Sequence, residues 1–260
     1  MLLFLKIILA PSLVAGVTIA AARWGPRIGG WLTALPVVAG PTLCFYAIEQ
    51  GHGFAVRAAQ ATLVGLVAVA AHAVAYARSC RRAAWPVSVT LGWLAFAGAT
   101  LVLYQLQPSL ILSLVLAVAG NAIAQRALPS SQHAARASRN TRRDLLMRMI
   151  AAAGLVFALT SAADRLGPRL SGFLTPFPIA TAIIAAFTHA ENGPEAVVSY
   201  FRGFVPALNS FALFCFVFAT ALGRLGLPLS VAAALFLQLV IQAIQLWRMT
   251  PQRHKQHPRA

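Results

Sequence analysis

A chain of 260 residues that is 59% hydrophobic and only 10% charged is not a soluble domain. Its formal charge of +16 would suggest nucleic acid in a soluble protein, but the basic residues gather in short connections and at the C-terminus, where membrane topology signals belong. The apolar runs reach the roughly 20 residues a helix needs to cross a bilayer and do not alternate, which excludes a β-barrel. That leaves an all-α polytopic membrane protein with lipid bilayer as its surroundings and no nucleic-acid partner.

In chain order, residues 2–22 form a first transmembrane helix. A signal peptide is the competing reading, but the run is too long for an h-region, carries only Lys6 at its front, and has an internal copy at 144–163. Further spans follow at about 28–48, 54–77, 84–104, 108–125, 144–163, 170–190, 196–222 and 226–247, nine in all. Cys44, Cys80 and Cys215 are odd in number and scattered, so they read as packing residues rather than a disulfide or ligand set.

The chain repeats itself. Residues 3–51 match 145–193 at 19 of 49 positions without a gap, including Arg23/Arg165, Gly25/Gly167, Pro26/Pro168, Arg27/Arg169, Gly30/Gly172, Pro36/Pro178, Glu49/Glu191 and Gly51/Gly193. Spans after residue 143 pair in order with the first four, and 108–125 has no partner. A four-span unit starts and ends on one side, so one added span sends the second unit in upside down. The expected architecture is about nine transmembrane helices in two inverted four-helix repeats plus one linking helix. Its parts are a first repeat at 1–105, a linking helix and basic loop at 106–143, a second repeat at 144–248 and a basic tail at 249–260. With the N-terminus outside, fourteen Lys and Arg face the cytoplasm in loops and tail and three (Arg165, Arg169, Arg224) face outward. The expected location is a bacterial inner (plasma) membrane, multi-pass, with a cytoplasmic C-terminus.

The second span of each repeat is the candidate site. Pro36 and Pro41 interrupt one copy, Pro176 and Pro178 the other, and an interior proline removes a helix hydrogen bond. Interrupted spans at matching places in inverted halves point to a transporter's substrate or ion site. The competing reading is that these prolines, with Gly30 and Gly172, only allow close helix packing. Arg23 and Arg27, like Arg165 and Arg169, flank a Gly-Pro turn at the span's mouth and are candidate gate residues. Topology signalling explains the first pair as well, and an ion pair with Asp164 the second. Glu49 and Glu191 end the second spans, with Arg57 and Arg202 just inside the third. Each acid could pair structurally with its arginine, Glu195 being another partner for Arg202, or bind a proton or substrate. His189 stands one turn before Glu191, and His72, Asn121, Asn209 and Gln238 are isolated polar residues expected to hydrogen-bond between helices. With five carboxylates and no HExxH, paired acids or Ser/His/Asp grouping, the chain reads as no enzyme, with no metal and no cofactor.

The segment Gly172-Phe173-Leu174-Thr175-Pro176-Phe177-Pro178, an apolar run, then Gly193-Pro194-Glu195-Ala196 and two further spans, resembles the GlpM family of small bacterial inner-membrane proteins and a neighbouring DUF3147-like group. The likeness covers about 145–247 and more loosely 2–104, where Ala34-Leu35-Pro36 stands in place of Pro176-Phe177-Pro178. It implies a four-span fold, here fused in tandem, and a membrane location. The family has no established activity, some members being associated with alginate production, and it supplies no site residues. The expected function is transport of a small solute between the two repeats. The alternative is a non-transporting envelope, assembly or polysaccharide-production-associated membrane protein, and either leaves a homo-oligomer open.

Overall fold

A computed structural model of the chain describes residues 2–106, 108–131, 145–151, 153–154 and 178–249. Among these, every regular element is an α-helix: α1 (Leu2–Trp24), α2 (Pro26–Thr33), α3 (Ala39–Glu49), α4 (His52–Ser79), α5 (Trp85–Tyr104), α6 (Leu110–Ala127), α7 (Ile179–Asn192) and α8 (Pro194–Met249). Residues 145–151 are also helical. Runs of Ala, Leu and Val with so few charges can satisfy their backbone in lipid only this way.

Among the described residues, four helices are long and apolar enough to cross a membrane: α4, α5, α6 and α8 over Pro194–Trp247. The last, 54 residues long, would extend about 80 Å if straight, far more than a bilayer core. It is not straight. Gly226 (φ 70°, ψ 174°) breaks it into two legs, with Pro228 just beyond. The protein is therefore membrane-embedded, and all-helical among the described residues.

Burial divides these helices sharply. In α4, 72% of the most apolar 18-residue window is buried, against 22% in α5 and α6. Alanines carry that enclosure: Ala55, Ala58, Ala59, Ala68, Ala73 and Ala77 let α5, α6 and α8 approach the α4 backbone. Outward, α5 and α6 show Leu94, Leu101, Ile111 and Ile123, and the second leg of α8 shows Phe236 and Leu239, the lipid face of the bundle.

Two turns share one geometry. α3 passes into α4 through Gly51 (φ 86°, ψ 164°), and α7 passes into α8 through Gly193 (φ 79°, ψ 178°). Both lie in a region closed to residues with a Cβ, which accounts for glycine at the two positions.

Candidate functional site in a broken membrane helix

The second apolar run does not form one helix. α2 stops at Thr33 and α3 begins at Ala39, so residues 34–38 lie open midway along a segment otherwise helical from 26 to 49. Proline is the cause. In a continuous helix the Leu32 carbonyl would receive the N–H of residue 36, and Pro36 has none. The N–H groups of Ala34 and Leu35 turn to Leu32 instead. That leaves the Trp31 carbonyl without its usual donor. A new ladder then starts, with Gly40 donating to the Pro36 carbonyl at 2.8 Å and Thr42 to that of Val38 at 3.2 Å. Pro41, expected to interrupt the span as well, sits in the first turn of α3, where the ring is tolerated and the helix continues through it.

Helix α8 closes over the break from both of its legs. The first leg meets α2 backbone to backbone: a Cβ on Gly30 would lie 1.9 Å from the Tyr200 carbonyl oxygen, and one on Gly203 would lie 1.9 Å from that of Arg27. Only glycine fits at this crossing. Beside it the Tyr200 hydroxyl and the Thr33 Oγ1 are hydrogen-bonded at 3.1 Å, and Thr33 donates to the Gly29 carbonyl. From the second leg, Gln242 Nε2 donates to the Trp31 carbonyl at 3.0 Å and Gln238 Nε2 reaches the Ala34 carbonyl at 3.5 Å. The glutamines thus supply donors where the broken ladder lacks them. Their own oxygens, with the Trp31 ring N–H, are buried without a partner among the described residues.

The other candidate residues scatter. Pro36 is buried within the break, and Pro178 is buried at the start of α7, immediately before its first helical residue. Glu49 and Arg57, expected as a pair, are both exposed and no ion pair joins them. Solvent reaches both, so little drives them together. Glu191 was expected with Arg202 but is joined to Arg148, whose guanidinium also lies over the Phe187 ring at 5.0 Å. Arg202 instead donates to the Pro129 carbonyl at 2.6 Å. Glu195, the other partner considered for Arg202, accepts from Arg81 at 2.8 Å. Arg81 also holds the Ser130 carbonyl and Arg78 that of Ala127. These arginines satisfy the chain as it leaves α6, because carbonyls past a helix end have no backbone donor. Arg23 is exposed with its guanidinium 5.6 Å from the Trp24 ring centroid, and Arg27 is exposed at the start of α2. Arg165, Arg169 and Gly172 lie outside the described residues.

Of the isolated polar residues, Asn121 and Asn209 bond to each other at 3.0 Å between α6 and α8. Gln242, Gln245, Tyr200 and Gly203 were not singled out from the sequence. A signal existed: Gln238, Gln242 and Gln245 stand at i, i+4 and i+7, one face of an otherwise apolar helix. Comparison with known proteins returned no family model, no curated protein and no solved structure that matches this chain.

Proposed function

We propose that this protein is a small-solute transporter of the bacterial inner membrane, with its site at the α2–α3 break. The observation that carries the reading is a helix opened at mid-span by Pro36, with carbonyls met by buried glutamines of α8. Irregular backbone at membrane depth is tolerated where protein or a polar cavity lines it, and such breaks hold substrates and ions in secondary transporters. The Trp31 ring N–H, buried without a partner among the described residues, offers a solute a donor beside the break.

Inverted repeats would supply the two interconverting halves. The duplicated sequence supports this, as do the matching turns at Gly51 and Gly193 and the start of α7 straight after Pro178, the counterpart of Pro36. The likeness of 172–196 to the GlpM family fits the membrane location. In this reading the N-terminus is outside and residues 126–143 are cytoplasmic. A cysteine placed at Ser131 would then label only after the membrane is permeabilised; labelling in intact cells would reverse the orientation.

A second reading, a non-transporting assembly protein, has one observation in its favour. The Gly30–Tyr200 and Gly203–Arg27 contacts are tight backbone packing, as a static interface requires. Pro36→Ala separates the two. It returns an N–H to the Leu32 carbonyl and favours a continuous helix. A transporter would keep or raise its melting temperature and lose solute uptake in proteoliposomes. A scaffold would lose stability, and its cellular phenotype would fall only in proportion to folded protein.

A further inference from the structure

Three glutamines on the second leg of α8 each hold out an oxygen that nothing in the described protein meets. Gln238, Gln242 and Gln245 donate through Nε2 to the carbonyls of Ala34 (3.5 Å), Trp31 (3.0 Å) and Pro206 (3.1 Å). A backbone carbonyl can only accept, so the orientation of each amide follows from its partner: nitrogen toward the carbonyl, Oε1 turned away. All three Oε1 atoms are buried without a donor among the described residues. Gln238 is 0% and Gln242 1% exposed, so these oxygens face protein rather than lipid or solvent. An acceptor buried in apolar surroundings without a donor is costly, and three on one helix face call for an occupant that satisfies them.

The surroundings narrow what that occupant is. The C-terminal end of α2, the negative pole of its dipole, meets the same glutamines through Trp31 and Ala34. The described acids Glu49, Glu191 and Glu195 all lie at helix ends and not on this face. Divalent cations are held by carboxylates, whereas rings of neutral carbonyl oxygens replace the hydration shell of monovalent ones. We infer that the side-chain oxygens of Gln238 and Gln242 bind a monovalent alkali-metal cation beside the α2–α3 break, with Gln245 at its entry. Gln245, less buried and nearer the end of α8, stands where an ion arriving along that face first meets an amide oxygen. The inference rests on the transport reading for its purpose, the cation being the ion that drives solute movement, but the binding stands on the oxygens themselves.

The test uses the purified full chain, unfolded thermally in detergent at constant ionic strength. Choline chloride is replaced stepwise by sodium, potassium or methylammonium chloride. A saturable rise in Tm of about 2–4 °C with sodium or potassium is expected, because only the folded state has the site. Identical Tm in all four salts would mean that ordered water satisfies the glutamines, and would overturn the inference. A rise with methylammonium alone would overturn the alkali-metal assignment. Gln242→Lys tethers an ammonium beside the Trp31 carbonyl, and should give a folded protein whose Tm no longer responds to sodium; an unchanged response would place the site elsewhere. Should that variant fail to fold, Gln238→Met keeps the volume and removes one oxygen, raising the half-saturating sodium concentration about tenfold. Uptake in proteoliposomes keeps the two readings apart. A sodium-dependent Tm without any solute uptake would sink transport and leave the cation site, while uptake indifferent to alkali ions with a flat Tm would do the reverse.

Discussion

The same short motif, an acid followed two residues later by a turn glycine, occurs at Glu49-Gln50-Gly51 and at Glu191-Asn192-Gly193, and the two copies have different fates. The backbones agree, each glycine holding a positive φ that turns one helix into the next. The side chains do not. Glu49 is exposed and makes no ion pair among the described residues, while the Glu191 side chain, 26% exposed, is held by an Arg148 that is 3% exposed. Around the second copy, Arg81 holds Glu195, and Arg78, Arg81 and Arg202 hold carbonyls of residues 127–130. Around the first, Gln60 donates to the Pro108 carbonyl, with Arg57 exposed nearby. A duplicated sequence reproduces its local backbone because φ and ψ depend on neighbours in the chain. It does not reproduce electrostatics, which depend on what the rest of the fold brings alongside.

The contrast can be broken most severely at the covered copy. Glu191→Gln removes the carboxylate facing a buried guanidinium and should cost about 3 kcal/mol, the low end for a broken buried pair because Glu191 keeps some solvent. Thermal unfolding in detergent reads this directly, and a loss as small as that of an exposed acid would mean that Arg148 does not depend on Glu191. Next in size, Gly51→Ala and Gly193→Ala should each cost about 1–3 kcal/mol, equal between copies, since the strain is a property of the turn alone. Unequal losses would mean that the surroundings, not the backbone, decide.

A third effect appears only at high pH. Cys80, 3% exposed at the end of α4, is pushed up by burial from the ordinary 9.0 to about 11, with Glu195 raising and Arg81 lowering it. The folded state thus keeps a proton that the unfolded chain gives up first. The stability this adds is full below pH 9 and is lost as pH rises toward 11. Wild type should lose melting temperature across that window more steeply than Cys80→Ala. The smallest effect belongs to the open copy: Glu49→Gln should shift stability by no more than about 0.5 kcal/mol, as exposed surface changes do. A larger loss would show that Glu49 has a partner in the membrane. Position 6, the counterpart of Arg148, is the basic residue Lys6 and the first to exchange in that case.

Much of the candidate site was legible before any coordinates. Pro36 lies inside a run that must be helical in lipid, and a missing N–H there opens the ladder whatever surrounds it. Gly30 was expected where another backbone approaches, and the Tyr200 carbonyl stands there. The ion pairs were less legible. Glu191 with Arg202 and Glu49 with Arg57 are near in sequence and separated by a tight turn, yet Arg148 and the Pro129 carbonyl, distant in the chain, took two of the four charges. A long arginine side chain reaches several ångströms in any direction, so sequence proximity constrains it little.

Composition and period alone determined that this chain is helical and lies in a membrane, because a backbone in lipid has no other solvent for its polar groups. The duplication likewise determined where its turns fall, through glycines that no other residue can replace at those angles. Which glutamines meet the broken helix is another matter. Gln242 lies 211 residues from Trp31 and Gln238 lies 204 from Ala34, and nothing local ties them. Only the packing of α8 against α2, made possible by two glycines at the crossing, decides that these amides supply donors where Pro36 breaks the ladder, and that their oxygens have none among the described residues.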